Sequence, residues 1–585
     1  MKTNWNLDVM YKGFSDPQYD ADMKKAEAAF GALHEAVLKA PEKAEKKRVE
    51  DILKALESIE EITYKIGLYT SLRQSVNTKD GEAMASMARL MRIVSAGAAD
   101  NAAAKKILGE VADPEALSKE SELICTYKVL LEDAKKDRAH LLSDEVESMA
   151  AAMDMTGGSA WGDLQSFMTS TVKVDYDGRT ATLSEIRNLA YDPDVNVRKA
   201  AYEAELKSYE KIQDAIAFAL NNIKNQVTMM AGKRGYESPL SMTLENSKMT
   251  KETLDAMLGA MVEFMPVFRK YLRKKGEYLG DKNGLKWYNL FAPLGASDKK
   301  YTVEETKALL VKVFKEFTPE LSDMMARAFD EEWIDFFPAD GKEGGAFCAG
   351  AAFLKQSRIL TNFDGTFGAV DTLAHELGHA YHNLQIENES IMNQGMAMQV
   401  AETASTFDEV FLGDYALKNA KSKEERLALL ESDLREKTQC VVDIYSRYLF
   451  ESAVFAGAKE KFLMAPDLCE MMLDAQDKSY GDGLDPDYKH AWMWACKSHY
   501  YSSGLSFYNF PYAFGNLFAQ GLYALYLKDK EGFIPKYRNM LRTTGVHTVE
   551  ECGEMMGIDV TKPDFWRESL KLIADEIEEF CEIVG

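Results

Sequence analysis

No run of 18 apolar residues occurs anywhere in this chain of 585 residues, so no segment reads as a membrane-crossing helix. The start, Met1 to Tyr11, has no apolar stretch behind its basic residue, so no export leader is expected. Basic residues are in deficit: the formal net charge is −24 and there is no Lys/Arg-dense arm. That balance argues against nucleic acid and against an anionic membrane surface as partners, because phosphate-rich surfaces need cations to meet them. Cysteine is sparse: seven residues, an odd number, with no C-x-x-C spacing. Reduced thiols in a soluble, cytoplasmic protein are the expectation. The phosphate-loop pattern G-x-x-x-x-G-K-[ST] is also missing, so glycines here cradle no phosphate.

Proline is scarce between Asp22 and Ala152, where Ala, Leu, Met, Lys and Glu dominate. Phe30, Leu33 and Val37, then Ile52, Leu56, Ile59, Ile62 and Ile66, follow helical spacing on either side of Pro41. Antiparallel helical hairpins are predicted. Val172 to Thr182 alternates around Asp177-Gly178, which predicts a β-hairpin, with Ser184 available to cap a following helix. At 585 residues the chain can bury a large core and reads as two lobes or one large multi-lobed unit.

Histidine is rare too, eight in all, yet three fall within Val370 to Gln385. That stretch contains His375-Glu-Leu-Gly-His379, an H-E-x-x-H pattern. Val370, Leu373, Ala374, Leu377, Ala380 and Leu384 recur at three- and four-residue steps, so the stretch is read as a helix, with Asp371 in its first turn. On a helix His375 and His379 lie one turn apart on one face and can bind one metal ion, with Glu376 beside it as a general base. A catalytic zinc has three protein ligands and an open position. Glu402, 23 residues beyond His379, is the candidate third ligand, on a helix running from Gln399 to Leu412. Glu409 lies on nearly the same face and either holds the outer nitrogen of a ligating histidine or is a solvated carboxylate. His382 is about 10.5 Å along the helix from His375, too far to share its ion, and is assigned to the pocket wall or a core hydrogen bond.

His-Glu-Leu-Gly-His-Ala-Tyr-His382, followed by Ala401-Glu-Thr-Ala-Ser-Thr-Phe-Asp-Glu409, resembles the M3 family of zinc oligopeptidases, in particular its oligoendopeptidase F branch. In that family the glutamate matching Glu402 is the third zinc ligand. The likeness extends over about two-thirds of the chain, through Leu189 to Glu203, Arg234 to Ser238, Trp333 to Asp335 and the tyrosine-rich C-terminal region. It implies a mainly α, two-lobed helical clamshell around a deep channel, with a small β-sheet next to the zinc-binding helices, and one Zn2+ per chain. The resemblance at Leu189 to Glu203 implies a soft boundary near residue 190, within one continuous structural unit, between an N-terminal helical lobe (1–190) carrying the hairpin and a second region (191–585).

Two further stretches bear on substrate. Gly341 to Ala352 is glycine-rich and Ser357 to Phe363 is strand-like. A strand edge beside a zinc helix would hold an extended peptide by main-chain hydrogen bonds, with Gly345 and Phe347 as contacts. His499 to Gly515 is dense in aromatics. His499 and Tyr508 are the candidate donors to the oxyanion of a cleaved amide, and Tyr501 and Tyr512 are candidate substrate contacts, although such stripes also form cores. One departure from the family pattern is Asn289 after Tyr288, where relatives commonly place an aspartate. The expected activity is endopeptidase cleavage of short unstructured peptides. An exopeptidase with the same parts, or a non-catalytic peptide-binding scaffold, are the alternatives.

Overall fold

The computed structural model describes residues 2–295 and 299–585. It is mainly helical, with five short strands in two sheets among the described residues. Helix α1 (Pro17–Leu38) and the long α2 (Glu45–Val76) pack along each other across a short 3-10 turn that holds Pro41, as the apolar spacing around that proline predicts. Further on, α3 (Gly158–Thr171) leads into β1 (Lys173–Tyr176) and β2 (Arg179–Thr182), an antiparallel hairpin. Its turn puts Asp177 and Gly178 both at positive φ, +48° and +72°, the backbone that an Asp-Gly pair accepts at low cost. The next helix begins two residues earlier than expected, so Thr182 and not Ser184 is its cap, accepting from the Glu185 N–H at 3.2 Å.

Helices α4 (Gln213–Lys233) and α5 (Lys251–Leu279) follow. After α5, Asn289 accepts from Arg198 Nη2 at 2.8 Å and donates to Asp281 Oδ2 at 2.8 Å. An amide can do both at once. An aspartate there would face Asp281 carboxylate to carboxylate, so the departure at 289 has a local structural reason.

Strands β3 (Ile334–Asp335), β4 (Phe347–Ala351) and β5 (Gln356–Leu360) form the second sheet in the order β3-β5-β4. β3 runs parallel to β5, and β4 pairs antiparallel with Phe347 opposite Leu360. β4 is therefore an edge strand. Both β4 and β5 pack on α6 (Phe367–Ile386), the helix that carries the three clustered histidines. Then come α7 (Thr403–Asn419), α8 (Lys423–Thr438), a π turn at Gln439–Asp443, and α9 (Ile444–Gly457). The C-terminal part supplies α10 (Phe510–Lys528), α11 (Lys530–Thr543) and α12 (Pro563–Val584).

One large apolar core runs from Val172 to Cys581 and contains the buried face of α6. Two smaller clusters lie in the N-terminal third, and one of them takes in Ala351 and Leu360 of the sheet. The hairpin side chains Val174 and Ala181 join the large core. The N-terminal residues are tied to the chain on either side of β3: Asn6 N–H donates to the Glu332 carbonyl at 2.8 Å and Phe336 N–H to the Thr3 carbonyl at 3.0 Å.

Candidate metal centre and active site

Helix α6 starts on Thr366, whose hydroxyl accepts from the Ala369 N–H at 3.2 Å. It buries Val370, Leu373, Ala374, Leu377 and Ala380 against the core, leaving His375 and His379 on the opposite side with their rings 4.9 Å apart. The continuous helix expected from Gln399 to Leu412 is broken at Glu402, which lies between a short turn ending at Ala401 and the start of α7, with φ −86° and ψ +3°. This break lets the carboxylate turn back on α6. One oxygen, Oε2, lies 3.3 Å from His375 Nε2 and 3.3 Å from His379 Nε2, and Ser405 Oγ donates to the same oxygen at 3.1 Å. One donor atom from each of His375, His379 and Glu402 falls within 4.8 Å of the other two, the one such cluster among the described residues.

The electrostatics of this cluster fit a dication. Burial works against charge on His375, but Glu402 and Glu409 outweigh it and hold the imidazole far above its ordinary range. Those same contacts from His375 and His379 pull Glu402 well below the usual carboxylate range. Two imidazole nitrogens and one carboxylate oxygen are the donor set zinc takes in catalytic sites, three protein ligands in all. Glu409 Oε1 is 3.0 Å from His375 Nδ1, an ion-pair distance on the side of the ring away from Glu402. Glu376 is 5 % exposed and burial raises its pKa. Asp371, Asp408 and Glu436 nearby are also pushed up by burial, Glu436 to about 7.

His382 has left the site. It is fully buried, with Nε2 3.1 Å from the Leu541 carbonyl and 2.9 Å from Thr544 Oγ1, the core hydrogen bond that helix geometry allowed for.

Near the C-terminus, three aromatic rings gather: His499 lies 5.1 Å from Tyr508 and 6.1 Å from Tyr512, and the two tyrosines are 5.2 Å apart. Tyr512 is 41 % exposed, so it is not a core residue. It sits one turn before Gly515 on α10, and a Cβ built on Gly515 would be 3.5 Å from Glu402 Cβ. Glu402 is accordingly among the charges acting on the Tyr512 phenol, whose pKa is raised first by burial and then by Tyr508. Burial, then Arg447 and Lys497, lower the His499 pKa. Tyr501 does not join this group: it is 5 % exposed and its hydroxyl donates to the Trp494 carbonyl at 2.9 Å. Its expected substrate contact is therefore withdrawn.

Gly345 is exposed at φ +79°, with open space where a side chain would be, and its carbonyl accepts from Asn362 Nδ2 at 2.9 Å. Only glycine takes this conformation without strain. Phe347 differs from expectation. Its side chain packs into the N-terminal cluster, 6.3 Å from the Trp5 ring, because successive residues of β4 alternate and 347, 349 and 351 face that cluster. Its main chain alone is left for a substrate. Sequence reasoning missed Tyr64 of α2, which donates to the Gly350 carbonyl at 2.7 Å. A cavity of about 370 Å³ opens there, lined by Tyr64, Cys348, Gly350, Ser357, Asn383 and Glu387. No local signal marks Tyr64, since it meets the sheet across 286 positions of chain.

Comparison with known proteins gives a consistent picture. The sequence profile of Peptidase family M3 matches residues 188–572, and that of Oligopeptidase F matches residues 113–173. Oligopeptidase PepF of Bacillus subtilis (strain 168) is 25 % identical over 474 residues, covering 80 % of this chain and 70 % of the relative. An oligoendopeptidase F homolog of Lactococcus lactis subsp. lactis (strain IL1403) is 24 % identical, covering 100 % and 97 %. Among solved structures, a protein from Chlamydophila abortus superposes with a TM-score of 0.87 at 20 % identity, over 99 % of this chain and 98 % of the other.

Proposed function

The chain belongs to peptidase family M3, and we propose that it is a zinc endopeptidase that cuts internal bonds of short, unfolded peptides. The observation that carries this reading is the convergence of His375 Nε2 and His379 Nε2 on one oxygen of Glu402, 3.3 Å from each, beside the buried Glu376. Zinc held by these three residues would polarise the scissile carbonyl and acidify the attacking water.

The protein's own groups do the rest. Glu376 takes the proton of the attacking water and delivers it to the leaving nitrogen. Burial raises its affinity for that proton, which suits a base that must later act as an acid. Glu409, against His375 Nδ1, fixes the ring so that Nε2 faces the cluster. His499 is kept neutral by burial and by Arg447 and Lys497, and it and Tyr508 donate to the oxyanion. Tyr512 flanks the same space. The peptide lies extended along the unpaired edge of β4 from Gly345, bonded through main-chain groups and so with little demand on its side chains. A deep channel between helical lobes would admit such peptides and exclude folded domains. All seven cysteines are free, which fits a cytoplasmic setting.

The test uses internally quenched peptides of graded length, free and blocked at both ends, with wild type and Glu376→Gln at equal zinc content. Internal cuts in short blocked peptides, lost in the variant, support the reading. Cuts confined to free termini turn it into an exopeptidase, and no turnover by zinc-loaded wild type turns it into a binding protein.

A further inference from the structure

The short stretch that presents Tyr508 is held on both sides by one buried carboxylate. Glu451 of α9 is 1 % exposed, and its partner Lys224 of α4 is fully buried, with Nζ 2.7 Å from Glu451 Oε1. The same Oε1 accepts from the Phe507 N–H at 3.0 Å, and Oε2 accepts from Asn509 Nδ2 at 2.9 Å. The residues immediately before and after Tyr508 are thus both bound to Glu451.

The rest of the turn is fixed as well. Thr243 Oγ1 donates to the Ser506 carbonyl at 3.1 Å, and Asn509 Oδ1 accepts from the Phe510 N–H at 2.7 Å, at the start of α10. Phe507 sits at φ +54°, a left-handed backbone unfavourable for a bulky residue and held only where the surroundings over-determine it. Its ring is buried and stacks 5.4 Å from Phe455, over which the Lys224 ammonium lies at 4.9 Å. In this pinned segment Tyr508 alone is partly open, and its ring faces His499 and Tyr512.

A buried ion pair is a poor source of stability, because two charges must be stripped of water. This one is bound to the backbone of a strained turn and not to packing alone. We infer that Glu451, charged and anchored by Lys224, is a positioning residue that sets the direction of the Tyr508 hydroxyl, acting through Phe507 and Asn509. The inference rests on the reading of Tyr508 as an oxyanion donor.

The experiment is a mutant cycle in the zinc-loaded enzyme: Asn509→Ser, Tyr508→Phe and both together, with Glu451→Gln as a second probe of the clamp. Asn509→Ser retains an oxygen for the Phe510 N–H but cannot reach Glu451, so it spares the helix start. Zinc content, thermal midpoint, kcat and KM are read for each. Tyr508→Phe is expected to lower kcat by about 100-fold, the scale of a lost oxyanion donor. Asn509→Ser should lower kcat by about tenfold or more with KM within about twofold, since a misplaced donor costs rate more than binding. In the Tyr508→Phe background the same change should cost less than about twofold. Equal losses in both backgrounds overturn the inference, as does unchanged kcat in both Asn509→Ser and Glu451→Gln. A Tyr508→Phe enzyme with full kcat overturns the donor role itself and leaves the zinc-peptidase reading standing.

Discussion

Gly378 and Ser405 bring two helices close together, the one carrying His375 and His379 and the one that begins after Glu402: a Cβ on Gly378 would lie 2.6 Å from Ser405 Cα and 2.7 Å from the Ala404 carbonyl oxygen. Both obstacles are backbone, so neither can swing aside. The glycine inside His375-Glu-Leu-Gly-His379 therefore lets α7 lie close enough for Glu402 to reach both imidazoles. Gly378→Ala should push α7 away, lowering stability by about 1–3 kcal/mol, the cost of overpacking, and reducing bound zinc below one per chain. Metal analysis and thermal unfolding on purified protein check this. Stoichiometric zinc with an unchanged midpoint would show that the helices can separate without consequence.

Glu409 meets His375 at Nδ1, the nitrogen turned away from the cluster. Removing its charge while keeping its shape, Glu409→Gln, should leave the protein folded but weaken zinc binding by about 10–100-fold, the usual scale for a carboxylate behind a ligating histidine. Competition against a chelator of known affinity measures it. Equal retention of zinc by variant and wild type would return Glu409 to the role of a solvated carboxylate.

The contrast between these glutamates and the rest of the site shows what a sequence makes legible. The helical stripe of α6 and the four-residue histidine spacing are local, and the structure keeps both. His382 was separable from the ligands by helical rise alone. Glu402 is reachable by counting, but its seat at a helix break is not, because no proline or glycine marks residues 399–405 and the break is visible only in the backbone. The tyrosines after His499 have no such local mark: Tyr501 is tied to the Trp494 carbonyl, while the residues flanking Tyr508 are bonded to Glu451, whose own partner Lys224 lies 227 positions away. Long-range polar pairing of this kind leaves no periodic trace in the chain.

Burial also gives His382 a measurable pH signature. Its pKa is lowered to about 4, first by burial and then by His379, so in the native protein it stays neutral down to that pH. In the unfolded chain it takes a proton below about 6.5. Between these values the unfolded state holds the extra proton, so stability from this group is complete above about pH 6.5 and is lost as pH falls toward 4. The loss totals about 3 kcal/mol. Urea unfolding at pH 7, 6, 5 and 4 should show a steeper decline for wild type than for His382→Phe, in which nothing titrates at this position. Parallel pH profiles would mean that the histidine protonates in place.

Tyr64 and Gly350 bear on how a peptide reaches the site. β4 is an edge strand, and the Gly350 carbonyl is bonded to the Tyr64 hydroxyl at 2.7 Å. A peptide lying along that edge competes with the phenol for this acceptor. A hydrogen bond of this kind contributes about 0.5–1.5 kcal/mol net, so a substrate long enough to reach Gly350 loses about 2–10-fold in affinity displacing it. Tyr64→Phe keeps the ring and removes the competitor. It should lower KM by that factor for long peptides, leave short ones unchanged, and leave kcat unchanged for both, since Tyr64 touches none of the groups proposed for the chemistry. The length dependence is the decisive part of the measurement. A KM that falls equally for all lengths would place the effect in a general opening of α2, and a KM that rises would make the Tyr64 hydroxyl a substrate contact.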